Sequence, residues 1–114
     1  MRFLRGHIYI ADLEPVRGSE QGKTRPVVVL SNNAMHATSP VITIAPLTSA
    51  SNVPKLYRTD VFVAASEAGL SVGSIVMLSQ IRTIAKSRIS KELGELSAAT
   101  MALIAEAARF ALDL

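Results

Sequence analysis

A mainly β fold with one C-terminal helix, built as a small, strongly bent sheet or partial barrel, is what this sequence predicts. Two observations carry that reading: short strand-like runs separated by turn residues fill the chain from residue 7 to residue 78, and one long amphipathic segment ends it. No internal repeat, low-complexity tract or linker interrupts the pattern, so residues 1–114 are read as a single domain.

The elements follow in order. His7 to Leu13, rich in β-branched and aromatic residues and ended by Pro15, reads as a first strand. Arg25 to Leu30 is a second, and its unbroken run Val27, Val28, Val29, Leu30 predicts burial on both faces, with Pro26 near the strand's start. Ser31, Asn32 and Asn33 can cap a helical turn over Ala34 to Ala37, which Ser39 and Pro40 break. A third strand covers Val41 to Leu47, a flexible surface loop Ala50 to Lys55, and a fourth strand about Arg58 to Ala64. Gly69 and Gly73 bracket a turn into the buried run Ser74 to Leu78. Beyond it, in an extended strand with Ile81 facing the core, Gln80, Arg82, Lys86 and Arg88 share the opposite face as a basic stripe, whose plainer alternative is a solvated outer surface.

Ser97 is the expected N-cap of a helix from Ala98 to Leu112. Met101, Ile104, Ala105, Ala108, Ala111 and Leu112 make one apolar stripe; Leu103, Ala107, Phe110 and Leu114 make a second. So wide an apolar surface predicts packing on two sides, and a homodimer is expected. Composition agrees: 49% of residues are hydrophobic and 18% charged, which leaves little polar material to cover a small domain.

A net charge of +3 permits an anionic partner without requiring one. The absence of cysteine excludes disulfides, a thiolate nucleophile and a cysteine-type zinc site, and is compatible with a reducing cytoplasm. With no signal-like N-terminus and no run of apolar residues long enough to span a bilayer, neither secretion nor membrane insertion is expected. His7 in a strand and His36 in a surface turn are poor partners for a serine nucleophile. The scattered carboxylates Asp12, Glu14 and Glu20, with no histidine pair, predict neither metal nor cofactor.

Chemistry concentrates in residues 18 to 26. Two glycines bracket Ser19, Glu20 and Gln21, and Lys23 and Arg25 add positive charge immediately before a buried strand. Such a loop can turn backbone N–H groups toward an anion, while arginine forks onto phosphate oxygens, although polar loops with two glycines usually only connect strands. Phosphate-directed chemistry without a metal fits RNA, which supplies its own 2′-hydroxyl nucleophile and needs only alignment, charge stabilisation and proton movement.

Arg5, Gly6, Ile8, Tyr9, Asp12, Leu13, Pro15, the whole Gly18–Pro26 stretch, Ser31 with Asn32, Pro46 to Ser49, and Gln80 to Ile84 together resemble the MazF/PemK toxin family from about residue 5 to the end. The resemblance implies an SH3-like, strongly bent partial β-barrel of the MazF/PemK/CcdB type. It also implies a homodimeric, cytoplasmic mRNA interferase of a type II toxin–antitoxin system: a sequence-specific, ribosome-independent endoribonuclease acting on single-stranded RNA. The products would be a 2′,3′-cyclic phosphate and a 5′-hydroxyl, and a cognate MazE-like antitoxin with an acidic, flexible tail would occupy the groove. Carried over by motif, Arg25 is the catalytic arginine and Thr48 the hydroxyl that holds the scissile phosphate. Ser19, Gln21, Gly22, Lys23, Ser49, Gln80, Arg82, Thr83, Lys86 and Arg88 would bind RNA.

The residues qualify these roles. Arginine stays protonated, so Arg25 is better as a stabiliser of phosphorane charge than as a base. Glu20 is the one nearby carboxylate able to accept the 2′-hydroxyl proton; orienting a loop neighbour is its equal alternative, and the base stays open. His7 stands where the family frequently has aspartate, and Ser79 and Ala85 where acids are often seen, which makes the groove edge more positive. The strongest rival is a non-enzymatic, gyrase-binding toxin resembling CcdB, with no need of Arg25 or Thr48. A module on the same barrel that binds RNA without cutting it is a blander one.

Overall fold

Valine or isoleucine recurs in every segment that becomes a strand, and the order of these segments along the chain sets the sheet. A computed structural model describes residues 1–114. Its strands are β1 (His7–Asp12), β2 (Thr24–Val29), β3 (Val41–Ser49), β4 (Asp60–Val63), β5 (Ser74–Met77), β6 (Arg82–Ala85) and β7 (Ile89–Glu95); its helices are α1 (Asn33–His36) and α2 (Ala98–Leu112). The pairings are antiparallel, in the order β4-β5-β3-β2-β1-β7, with β6 also on β3. The sheet is not closed, because β4 and β7 do not pair.

β3 bends the sheet. Its first half, Val41–Ile44, pairs with β6, its last three residues pair with β5, and Ile44–Pro46 lie against β2. One strand therefore belongs to two sheets, and the cores divide accordingly. Ile8, Val28, Leu47, Val76 and Leu78 join Ile104 of α2 in one cluster; Tyr9, Leu13, Val27, Val29, Ile42 and Ile84 form the other. Alternate residues of β1 and β2 go to opposite sides, and the consecutive Val27, Val28 and Val29 are all fully buried, as the apolar run predicts. Tyr9 is enclosed as well. Its hydroxyl accepts the Leu4 N–H at 3.0 Å and donates to the Arg2 carbonyl at 3.0 Å, and burial pushes the phenol above its ordinary range.

α2 begins where Ser97 predicts. The Ser97 Oγ accepts the Thr100 N–H at 3.1 Å, and Glu67 accepts from the Ser97 N–H at 3.0 Å and the Thr100 hydroxyl at 2.8 Å. Only Ile104 and Ala107 of the helix are buried; Leu103, Phe110 and Leu112 of the wide apolar surface stay exposed. No helix is long and apolar enough to cross a membrane.

Three expectations need correction. Residues 79–88 are not one extended strand: Leu78–Gln80 and Lys86–Arg88 are 3-10 turns that flank the four residues of β6, so the alternation behind the basic stripe fails at both ends. Residues 50–52 of the surface loop, expected without regular structure, form another 3-10 turn, and the loop lies at the surface as expected. His36, expected in a surface turn, is buried: Nδ1 donates to the Phe3 carbonyl at 2.7 Å and Nε2 accepts the Ser31 hydroxyl at 2.7 Å. β7, with its lysine, glutamates and glycine, has no expected counterpart.

Candidate active site

Proline decides the local geometry. The β2–β3 register sets Val27 opposite Pro46 and Val28 opposite Ala45; carried on, it places Pro26 beside Leu47 and Arg25 beside Thr48. Pro26 has no N–H to give the facing strand, and the Leu47 carbonyl instead accepts from Arg25 Nη1 at 3.3 Å. Arg25 Nε donates to the Gly22 carbonyl at 2.7 Å. Two donors on one guanidinium are thus tied to the backbone, one on each side, which holds the fork in place and leaves the remaining N–H groups for a ligand.

Thr48 is oriented by a neighbour. Asn52 Nδ2 donates to Thr48 Oγ1 at 3.1 Å, so the hydroxyl oxygen is occupied as an acceptor and its hydrogen is free to donate outward. Arg25, Thr48 and Ser49 line one cleft of about 490 Å³, together with Asn52, Ser71 and Lys91. Glu20, Gln21, Gln80 and Arg82 line a second, of about 320 Å³. Pro46 of β3 lines the second cleft, and Leu47 and Thr48 of the same strand line the first.

The loop from 13 to 23 is shaped by its own backbone bonds. Gly18 has φ +57° and Lys23 φ +64°, both left-handed, and a β-carbon at Gly22 would meet Val16 Cγ2 at 2.7 Å. The Lys23 N–H donates to the Glu14 carboxylate, the Arg17 N–H to the Glu20 carboxylate, and the Gln21 N–H to Gln80 Oε1 at 3.3 Å. Glu20 therefore organises its own loop and opens onto the neighbouring cleft, apart from Arg25 and Thr48.

The predicted basic residues separate. Arg82 Nη1 donates to the Leu13 carbonyl at 3.2 Å and lies in the second cleft. Arg88 Nη1 donates to the carbonyls of Asp12, at 3.1 Å, and Glu14. Lys86 turns the other way, to the His36 carbonyl, with its ammonium 5.5 Å from the centre of the Phe3 ring. Thr83 shares a hydrogen bond of 3.0 Å with Thr43, and Ser19, Gly22 and Lys23 line neither cleft. Lys91, Asn52 and Ser71 were not among the expected site residues. Asn52, four residues beyond Thr48, was the one available signal. His7 contacts two carboxylates of β7, with Nδ1 3.2 Å from Glu92 and Nε2 3.5 Å from Glu95. No three His, Cys, Asp or Glu side chains meet as a metal ion would require.

Known proteins with this pattern are numerous. The family model described as "PemK-like, MazF-like toxin of type II toxin-antitoxin system" matches residues 4–112. Endoribonuclease MazF9 of Mycobacterium tuberculosis is 42% identical over 115 residues, covering 96% of each chain. Endoribonuclease MazF of Staphylococcus saprophyticus is 42% identical over 93 residues, 82% of this chain and 77% of the relative. A MazF crystal structure from Deinococcus radiodurans superposes with a TM-score of 0.81 at 28% identity, covering 96% of each chain. A mycobacterial endoribonuclease in complex with its cognate antitoxin gives 0.79 at 28% identity, covering 97% of this chain and 95% of that one.

Proposed function

Since the chain belongs to the PemK-like, MazF-like family of type II toxin–antitoxin toxins, we propose that it is a sequence-specific, ribosome-independent and metal-independent endoribonuclease. It cuts single-stranded RNA, works as a cytoplasmic homodimer, and is silenced by a cognate MazE-like antitoxin whose acidic tail lies in the same groove. Relatives named as endoribonucleases, and one solved with its antitoxin, support this reading.

The observation that carries it is the convergence of Arg25 and Thr48 on one cleft, each already oriented by a protein partner. The 2′-hydroxyl oxygen attacks phosphorus and the bond to the 5′-oxygen breaks, which leaves a 2′,3′-cyclic phosphate and a 5′-hydroxyl. Negative charge grows on the non-bridging oxygens, where the free guanidinium N–H groups of Arg25 and the Thr48 hydroxyl donate. Both groups are fixed before the substrate arrives, so little reorganisation accompanies the step. Gln21, Ser49, Gln80 and Arg82 extend the RNA groove along the two clefts. The base that takes the 2′-hydroxyl proton stays open, and the departing 5′-oxygen takes a proton from solvent; Glu20 lines the other cleft and bonds the Arg17 N–H.

The test is to incubate the protein with a long single-stranded RNA and its DNA counterpart in excess chelator, then map the cut ends. Discrete RNA cuts bearing 2′,3′-cyclic phosphates, with intact DNA, are expected. Uncut RNA overturns the reading and favours a protein-binding toxin on the same fold.

A further inference from the structure

Lys91 differs from the other cations near the clefts. Arg25, Arg82, Lys86 and Arg88 each donate to at least one backbone carbonyl, whereas Lys91 makes no side-chain hydrogen bond and enters neither of the chain's ion pairs, both of which belong to His7. It is exposed, on β7, and lines the cleft that contains Arg25 and Thr48.

The register fixes where it stands. Ile10 of β1 is opposite Pro26 of β2 on one side and opposite Lys91 of β7 on the other. Directly opposed residues share a sheet face, so these three form a row across the cleft floor. Two strand spacings, roughly 10 Å, separate the backbones of Lys91 and Pro26. Lys91 thus reaches the cleft from the β7 side and Arg25 from the β2 side, so a strand lying between them offers Lys91 a phosphate next to the one held by Arg25. Ser71, in the loop that brings Gly69 against the Leu93 carbonyl, supplies a hydroxyl to the same cleft.

We propose that Lys91, with the Ser71 hydroxyl, forms a second phosphate subsite that holds a phosphodiester flanking the scissile one. The subsite rests on reading the cleft as an RNA groove, and it is a binding rather than a catalytic element. A desolvated lysine is not required, since an ammonium held near a phosphate backbone gains affinity by releasing a counterion.

The experiment measures binding separately from cutting. A fully 2′-O-methylated single strand, which lacks the nucleophilic hydroxyl, is titrated with the wild-type protein and with Lys91→Ala and Lys91→Arg across a range of salt. Lys91→Ala should bind roughly tenfold more weakly at low salt and lower the slope of log affinity against log salt by about 0.7, the value for one single-strand phosphate. Lys91→Arg should restore both, and Ser71→Ala should cost a smaller factor with the slope intact. On cleavable RNA, Lys91→Ala should raise KM by a similar factor with kcat kept. A scan of neutral methylphosphonate linkages should find one flanking position at which wild type loses affinity and Lys91→Ala does not. An unchanged slope in Lys91→Ala, or no such position, overturns the subsite. Wild type that fails to cut RNA but whose binding slope still falls on Lys91→Ala overturns the nuclease reading alone and supports the subsite.

Discussion

The cleft around Arg25 and the segment from Arg82 to Arg88 carry similar chemistry in sequence and different chemistry in space. In the cleft, Arg25 spends two donors on carbonyls and keeps the rest of its fork open beside a hydroxyl that is ready to donate. In the later segment, Arg88 spans two carbonyls of the β1 end and Lys86 reaches the opposite side of the molecule. Arg25 and Arg88 each give two N–H bonds to carbonyls, so neither charge nor backbone bonding locates an anion site; the hydroxyl of Thr48, which shares Arg25's cleft, does.

Mutations can break that contrast. The largest effect should come from Arg25→Ala, which removes the charge proposed to face the phosphorane. Cleavage measured in single turnovers should fall about a thousandfold with folding preserved, and a variant that retains full activity would put the chemistry elsewhere. Thr48→Val keeps the shape and loses the donor, so about a hundredfold loss is expected. Arg88→Gln should do the reverse of Arg25→Ala: about 1–3 kcal/mol of stability lost in chemical denaturation, because two carbonyls lose a charged donor, with the salt slope of RNA binding unchanged. A lowered slope would return Arg88 to the groove.

The smallest effect concerns Glu67. The Ser97 N–H, helped by the Thr100 hydroxyl, holds its carboxyl below the usual carboxylate range. A depressed folded-state value means that the carboxylate contributes stability above its unfolded pKa and loses it as pH falls through the folded one. Glu67→Gln should therefore cost at most about 1 kcal/mol at neutral pH, and the two proteins should converge in acid. A constant difference across the titration would assign the loss to packing instead.

Much of this architecture was legible in the residues. The triple valine of β2 marked a strand buried on both faces, and Ser97 marked the start of α2 at its first residue. Arg25 of the Gly18–Pro26 stretch and Thr48, both singled out in the residues, line one cleft beside Pro26. β7 was illegible because its residues, ISKELGE, are mostly poor strand formers, and its pairing with β1 is irregular at two points. Lys91 was missed with it. The basic stripe failed for a related reason: alternation is meaningful only while the chain stays extended, and 3-10 turns at 78–80 and 86–88 reset it. His36 was misplaced because the four-residue α1 turns inward against Phe3 and Ser31, a tertiary contact that no local pattern announces.

A sheet that does not close keeps free borders: β4 and β7 at the ends of its order, and β6, which pairs only with β3. Unpaired backbone groups on such borders invite a strand from another molecule, and ordered aggregation begins there. β4 limits the risk by being four residues long. β7, at seven residues, is long enough to be templated, and Ser90, Lys91, Glu92 and Glu95 put hydroxyl and charge along it. The polar composition that hid this strand from a propensity argument also makes its edge a poor template for a foreign strand.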